Sequence, residues 1–230
     1  LVLTSEVSDD RQAVRSGVIY ALDGRLSASV RSGRDYRIHI GRGFEYERLD
    51  FTLAELEDLK RPVTLRRQVK TSGLVACDTH LHTLEFAGHG DCTLVERLIS
   101  IAGEGVELPI STEHDKHIDY RPESKRIGAD RYFTPMLGCE VTTHQGHLNS
   151  FPIEPGVRPA EHHLRGWPDI FRNILATGAE ICILNHPRDV HRNFCPLDPV
   201  RWDVSSGRFT DGRRLEANAF ELINSGATQT

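Results

Sequence analysis

Gly73-Leu-Val-Ala-Cys-Asp-Thr-His-Leu-His82 is the stretch that decides how this chain is read. A short apolar run of this kind is what a buried parallel strand shows. The polar cluster Asp78-Thr-His80-Leu-His82 follows it directly. In an extended segment, residues i and i+2 project to the same face, ~6–7 Å apart at the backbone. Two imidazoles so placed can close on one ion at ~2.0–2.1 Å. The fold expected here is therefore α/β, with polar chemistry gathered at strand ends.

The same punctuation recurs downstream. Val106 to Ile110 is a strand candidate followed by Thr112-Glu113-His114-Asp115, and Pro135 to Val141 is another that carries Glu140, with Gly146-His147 after it. Ile181-Cys-Ile-Leu184 runs into Asn185-His186-Pro187. Helical patterns lie between them: Leu94, Val95, Leu98, Ile99 and Ala102, with Asp91 as a candidate cap, and Ile170, Phe171, Ile174 and Leu175 after Pro168. Strand, polar turn, helix, strand is the rhythm of a parallel α/β domain.

Upstream the texture differs. Residues 1–72 carry short alternating segments broken by glycine, and read as a small β module set against a metal-site domain over 73–230. Gly17–Leu22 and Leu26–Val30 flank Asp23-Gly24, a hairpin signal. Asp35–Ile40 and Val63–Val69 are further strand candidates, and His39 inside the former reads as structural.

Composition narrows the function classes. The chain has 230 residues, 38% hydrophobic and 27% charged, which is ordinary globular usage. The net charge of -5 gives no support for a nucleic-acid partner, whose phosphates call for a basic face. No apolar run approaches the ~20 residues of a membrane helix. Neither a nucleic-acid partner nor a membrane is expected. The 5 cysteines, Cys77, Cys92, Cys139, Cys182 and Cys195, include no C-x-x-C pair, which argues against a zinc finger, and Cys77 and Cys182 read as small buried hydrophobes. No nucleophile elbow, Walker loop or dinucleotide fingerprint is present.

The 12 histidines are the unusual feature, and most fall between His80 and His191. Metal ligation is assigned to His80, His82, Asp91, His114, Glu140, His147 and His186. Asp91 is read as ligand ahead of pure helix cap, His89 is left even, and Glu113 or Asp115 is expected to orient a ligand imidazole. A carboxylate behind an apolar strand is costly unless charge-paired, which favours Glu140 as a bridge between ions. Arg188 is the candidate for stabilising developing charge, and His144 for touching substrate. His117, Asp119, His162, His163 and His191 read as exposed loop residues. This mixture of imidazole and carboxylate suits divalent ions, Zn first, otherwise Mn or Fe.

In their order, Asp78–Thr83, Asp91, Thr112–Asp115, Gly138-Cys-Glu140, Gly146-His147 and Asn185-His-Pro187 resemble the PHP (polymerase and histidinol phosphatase) family. Gly88-His-Gly-Asp91 and Gly146-His-Leu-Asn149 look like its carbaryl-hydrolase-like (CehA/McbA) branch, as does the Arg42–Tyr46 and Leu65–Arg67 region before them. That resemblance implies a distorted (β/α)7 barrel, two or three divalent ions and hydrolysis, with a metal-activated water, of a phosphoester or a carbamate or aryl ester, so that the partner is a small-molecule ester substrate. The runner-up readings are a non-catalytic, metal-stabilised binding domain and a nuclease or phosphatase of the same family. The family usually closes its site with a late Asp-x-His. No such segment follows Asn224, and Asp189-Val-His191 lies too close to His186 to be a separate strand end. The barrel is therefore expected to be incomplete.

Overall fold

The structure, a computed structural model, describes residues 6–59, 61–188 and 195–222. In chain order its elements are β1 (Gln12–Arg15), β2 (Val18–Ala21), β3 (Arg37–Ile40), β4 (Leu49–Thr52), α1 (Leu53–Asp58), β5 (Cys77–Leu81), α2 (Leu84–Ala87), α3 (Leu94–Gly103), β6 (Leu108–Ser111), α4 (Arg121–Ile127), β7 (Met136–Leu137), β8 (Cys139–Thr143), β9 (Gly146–Phe151), α5 (Trp167–Leu175), β10 (Ile181–Leu184), β11 (Trp202–Asp203), β12 (Arg208–Phe209) and β13 (Ala219–Phe220). The strands form separate small sheets, and no closed barrel exists among the described residues. The expected α/β class is present as a mixed α/β fold of several small sheets, and the (β/α)7 barrel that the resemblance implies is not seen among these residues. Asp189-Val-His191, which has the late Asp-x-His spelling, lies outside the described residues.

The chain divides into two compact units, which are not simply its two halves. The first takes the residues up to Asp78 together with Asp91–Pro109 and Arg121–Thr134, and the second takes Thr79–Gly90, Ile110–Tyr120 and the residues from Pro135 onward.

In the first unit α3 packs on the β1–β2 hairpin and on α4. Its apolar positions recur at helical spacing, so Leu98, Ile99, Ile101 and Ala102 are buried together with Ala13 of β1. Thr93 caps the helix: its hydroxyl accepts from the Glu96 amide while the Glu96 carboxylate accepts from the Thr93 amide, a reciprocal box. The cap is thus Thr93 and not the expected Asp91, because the helix begins at Leu94, directly after Thr93. The expected hairpin also moves. β2 pairs with β1 across Ser16-Gly17, whose glycine has φ +85°, rather than across Asp23-Gly24. Val63–Val69 forms no strand; it contributes only a bridge between Arg67 and Tyr46. β3 pairs with β4 as an antiparallel ribbon, and His39 on it is half-exposed, its Nδ1 2.5 Å from Asp50 Oδ1.

The strand expected over Gly73–Cys77 begins four residues later. Leu74 and Val75 are exposed, and so is Cys77, so the apolar run is not the buried part. The shift puts His80 on β5 itself, with His82 one residue beyond its end.

In the second unit β8, β9, β10 and β13 make the main sheet, in the order β13-β10-β9-β8. β8–β9 and β9–β10 are antiparallel, and β10–β13 is parallel. The single strand expected over Pro135–Val141 is cut at Gly138 into β7, which pairs with Ile110 and Ser111 of β6, and β8, which joins the main sheet. Glycine is required at the cut. A Cβ there would lie 2.8 Å from Ile110 Cγ2 and 2.9 Å from the Ser150 carbonyl oxygen. One face of the main sheet buries Val141, Leu148, Cys182 and Leu184 against Trp167, Ile170, Phe171 and Ile174 of α5. Each such side chain contributes ~1.5–3 kcal/mol by leaving water, and this core holds the strands on which the site residues stand.

Candidate metal centre

Pairing register explains why polar residues of β8 and β9 meet. Glu140 lies opposite Asn149, and Thr142 opposite His147. Residues two apart share a face, so Glu140 and Thr142 from β8 and Asn149 and His147 from β9 all line the face away from α5. Beyond the end of β10, the Asn185 amide donates to the His147 carbonyl at 2.9 Å and sets Asn185 and His186 at the same face. The bridge between His114 and Glu140 brings in the segment after β6, while β5 and the residue past it bring His80 and His82.

The result is a fully buried Glu140 carboxylate ringed by imidazoles. Oε2 lies 2.8 Å from His82 Nε2, 3.3 Å from His80 Nε2 and 3.3 Å from His114 Nδ1. Oε1 lies 3.1 Å from His147 Nδ1 and 3.4 Å from His186 Nε2, and accepts a 2.8 Å hydrogen bond from the Asn185 side-chain amide. That amide also donates to Asn149 Oδ1, whose own amide donates to the Thr79 carbonyl, so the carboxylate is anchored through a chain of side-chain bonds.

Electrostatics follow from this crowding. Burial works to raise the Glu140 pKa, but hydrogen bonds from His147, His186, His80 and His82 outweigh it and hold the carboxyl well below its usual range. His80 is pushed up to about 10: burial opposes its charge, yet Glu140 and Glu221 on either side more than compensate. His114 is pushed down to about 4, first by burial and then by the neighbouring imidazoles of His82, His89 and His147, against the pull of Glu140.

Donor chemistry tests whether a cation fits. His89 Nε2 lies 2.5 Å from His114 Nε2, and His80 Nε2 lies 3.1 Å from His82 Nε2. Two imidazole nitrogens approach so closely only when a proton or a cation sits between them, because facing lone pairs repel. Three overlapping groups offer ligand atoms within 4.8 Å of one another: His80, His82 and Glu140; His114, Glu140 and His147; and His82, His89 and His114. Imidazole with carboxylate is the mixture that borderline divalent ions prefer. The residues fit.

Of the expected ligands, the structure thus brings His80, His82, His114, Glu140, His147 and His186 together. Asp91 it places elsewhere, in the first unit. Its carboxylate is 76% exposed, 2.6 Å from Arg15 Nη2 and 3.7 Å from Arg97 Nη2. Arg188 is exposed, and His144 is exposed on the β8–β9 turn. His117, expected on the surface, is partly buried and donates from Nδ1 to the Val157 carbonyl at 2.9 Å. Glu113 is fully buried and accepts from Thr83 Oγ1 and Tyr120 OH, each at 2.6 Å, so it braces the residues after His82 and before His114 rather than touching an imidazole. Asp115 accepts from the Thr142 amide at 2.8 Å. Cys139 and Cys182 are buried and pushed up to about 12 by desolvation, so neither supplies a thiolate.

Glu221 is the residue that sequence reading missed. Its amide donates to the Leu184 carbonyl, which fixes it beside the end of β10. Its Oε1 takes the His80 Nδ1 proton at 2.5 Å, and its Oε2 takes the His186 amide at 2.6 Å. The signal was present: Phe220-Glu221 repeats the apolar-then-acid spelling of Cys139-Glu140.

No protein-family model matches the chain, and no curated protein matches it either. Among solved structures, it is similar to a two-domain protein from Bacteroides vulgatus described as containing a predicted PHP-like metal-dependent phosphoesterase. The two share 25% identity over 49% of this chain and 35% of that one, with a TM-score of 0.37. This chain therefore spans about a third of its length.

Proposed function

We propose that this chain is a divalent-metal-dependent hydrolase of ester-type bonds. The observation that carries the reading is the buried Glu140 carboxylate with His80, His82, His114, His147 and His186 all within 3.4 Å of it. A buried anion inside a shell of imidazoles is a costly arrangement for stability alone, and such arrangements concentrate at functional sites. His80, His82, His114, His147 and Glu140 would hold the ions, with His89 and His186 at the margins. When bound, such an ion supplies a Lewis acid and lowers the pKa of water toward ~7.

The chain's own residues then do the rest. Asn185 and Asn149 hold the Glu140 carboxylate in one orientation. Glu221 keeps the proton of His80 on Nδ1 and turns Nε2 toward Glu140. Zn is the first expectation for the metal, with Mn or Fe as alternatives. The substrate class is a phosphoester or a carboxyl, carbamate or aryl ester, the latter supported by the motif spelling shared with the carbaryl-hydrolase-like branch. The acidic balance favours a small molecule over nucleic acid.

Elemental analysis of freshly purified protein, paired with turnover of p-nitrophenyl phosphate, bis-p-nitrophenyl phosphate and 1-naphthyl carbamate, tests the reading. Bound transition metal with turnover of one of these, with turnover and the ions of the Glu140 centre lost in Glu140→Ala, is the expected result. Metal without turnover of any ester would favour a metal-stabilised binding domain.

A further inference from the structure

We propose a second cation site, formed by Glu161, His162 and His163 with Asp115 and separate from the Glu140 centre. The three consecutive residues place a carboxylate oxygen and two imidazole nitrogens within 4.8 Å of one another, and none of them belongs to the groups around Glu140. His162 and His163 stand in a turn, and their ring centroids are only 3.9 Å apart, tilted by 53°. The Asp115 carboxylate approaches from another segment, with Oδ1 3.6 Å from His162 Nδ1.

The backbone of the cluster is anchored. Ala160, just before it, is buried in the main core. The Glu161 amide donates to Asn173 Oδ1 on α5 at 2.9 Å, and the His163 amide donates to Glu161 Oε1 at 2.9 Å. Asp115 is fixed by the Thr142 amide. The backbone that carries the donors is therefore held before any ion arrives, which lowers the ordering cost of binding. Two imidazoles and two carboxylates are a donor set for Zn or a similar borderline ion.

Occupancy would tie the loop between β9 and α5 to Asp115, the neighbour of His114. The site is therefore a clamp on the wall of the main centre, and its ligands contribute nothing to the main centre's own donor set.

Equilibrium dialysis of the full chain against buffered Zn2+ tests it, with His162→Ala/His163→Ala as the variant. Both side chains lie outside the core, and unfolding midpoints of the Zn-stripped proteins verify that the fold is unchanged. The expected result is one Zn2+ fewer per chain in the double variant, with the remaining ions retained. A Glu140→Ala chain should keep one Zn2+ that disappears on adding the double substitution. Equal Zn2+ content in parent and double variant would overturn the proposal, as would loss of every ion in the double variant. An ion retained by Glu161→Gln/Asp115→Asn at unchanged affinity would show imidazole-only, adventitious binding and would overturn it too.

Discussion

Glu221 Oε1 lies 2.5 Å from His80 Nδ1, and the other oxygen of the same carboxylate accepts the backbone N–H of His186 at 2.6 Å. One side chain therefore orients two of the histidines that face Glu140, one through its ring and one through its backbone. The second contact has a local purpose, because His186 has φ +29°, in the left-handed region that L residues avoid at a cost of ~1–2 kcal/mol. A backbone so placed persists only when its surroundings hold it.

Removing that carboxylate should loosen the centre without emptying it. Glu221→Ala is expected to weaken metal binding ~10–100-fold, the usual effect of losing a partner that orients a ligand. Competition with a chromophoric chelator measures it. Unchanged affinity would show that packing alone orients His80.

Metal binding should release a proton from His80. With Glu140 and Glu221 on either side, the metal-free ring stays protonated up to about 10, and a cation can use its Nε2 only after that proton leaves. Apparent affinity should therefore rise with pH across the neutral range, by up to ~tenfold per unit from this proton alone. Calorimetry at pH 8 in buffers of different ionisation enthalpy counts the protons released. A count of zero would contradict the arrangement.

Stability of the metal-free chain should fall on both sides of neutrality, for opposite reasons. His80 is raised in the fold, so its contribution is complete below its ordinary pKa of ~6.5 and fades as pH rises toward about 10. His114 is lowered to about 4, so the unfolded chain binds its proton first and stability drops as pH falls from ~6.5 toward 4. Glu140, also lowered, adds a further loss at still lower pH. Urea unfolding in the presence of chelator, repeated from pH 4 to 10, should trace a maximum near neutrality. A monotonic profile would contradict the opposed shifts.

Much of the site was legible in the sequence, and less of the fold. His80-x-His82, Glu140, His147 and His186 were readable because each closes or follows a short apolar run, and the period-two rule puts such residues on one face. The division into several small sheets was not readable. Gly138 looks like an ordinary strand residue until Ile110 and Ser150 are seen to leave no room for a Cβ, and that crowding splits β7 from β8. Asp91 reads well as a ligand by order, but Arg15, distant in sequence, holds its carboxylate in the first unit. Glu221 stands 81 residues from Glu140 in the numbering, and only the β10–β13 register brings it in.

The last prediction concerns the buried brace behind the centre. Glu113 is fully inaccessible, and its carboxylate is the acceptor for Thr83 Oγ1 and Tyr120 OH, with the Thr83 amide also within 3.3 Å. Thr83 follows His82 and Glu113 precedes His114, so the brace fixes the spacing of two imidazoles that themselves stack at 4.6 Å. Glu113→Ala strands two buried hydroxyls and opens a void, and each unsatisfied group costs ~1–3 kcal/mol. The variant should lose ~3–5 kcal/mol in urea unfolding, counting the cavity. Tyr120→Phe removes a single donor while the carboxylate keeps its other partners, so it should lose only ~1–2 kcal/mol and retain its metal. If the two variants were equally destabilised, the Thr83 arm of the brace would carry no energy, and the position of His82 would have to be set by β5 alone.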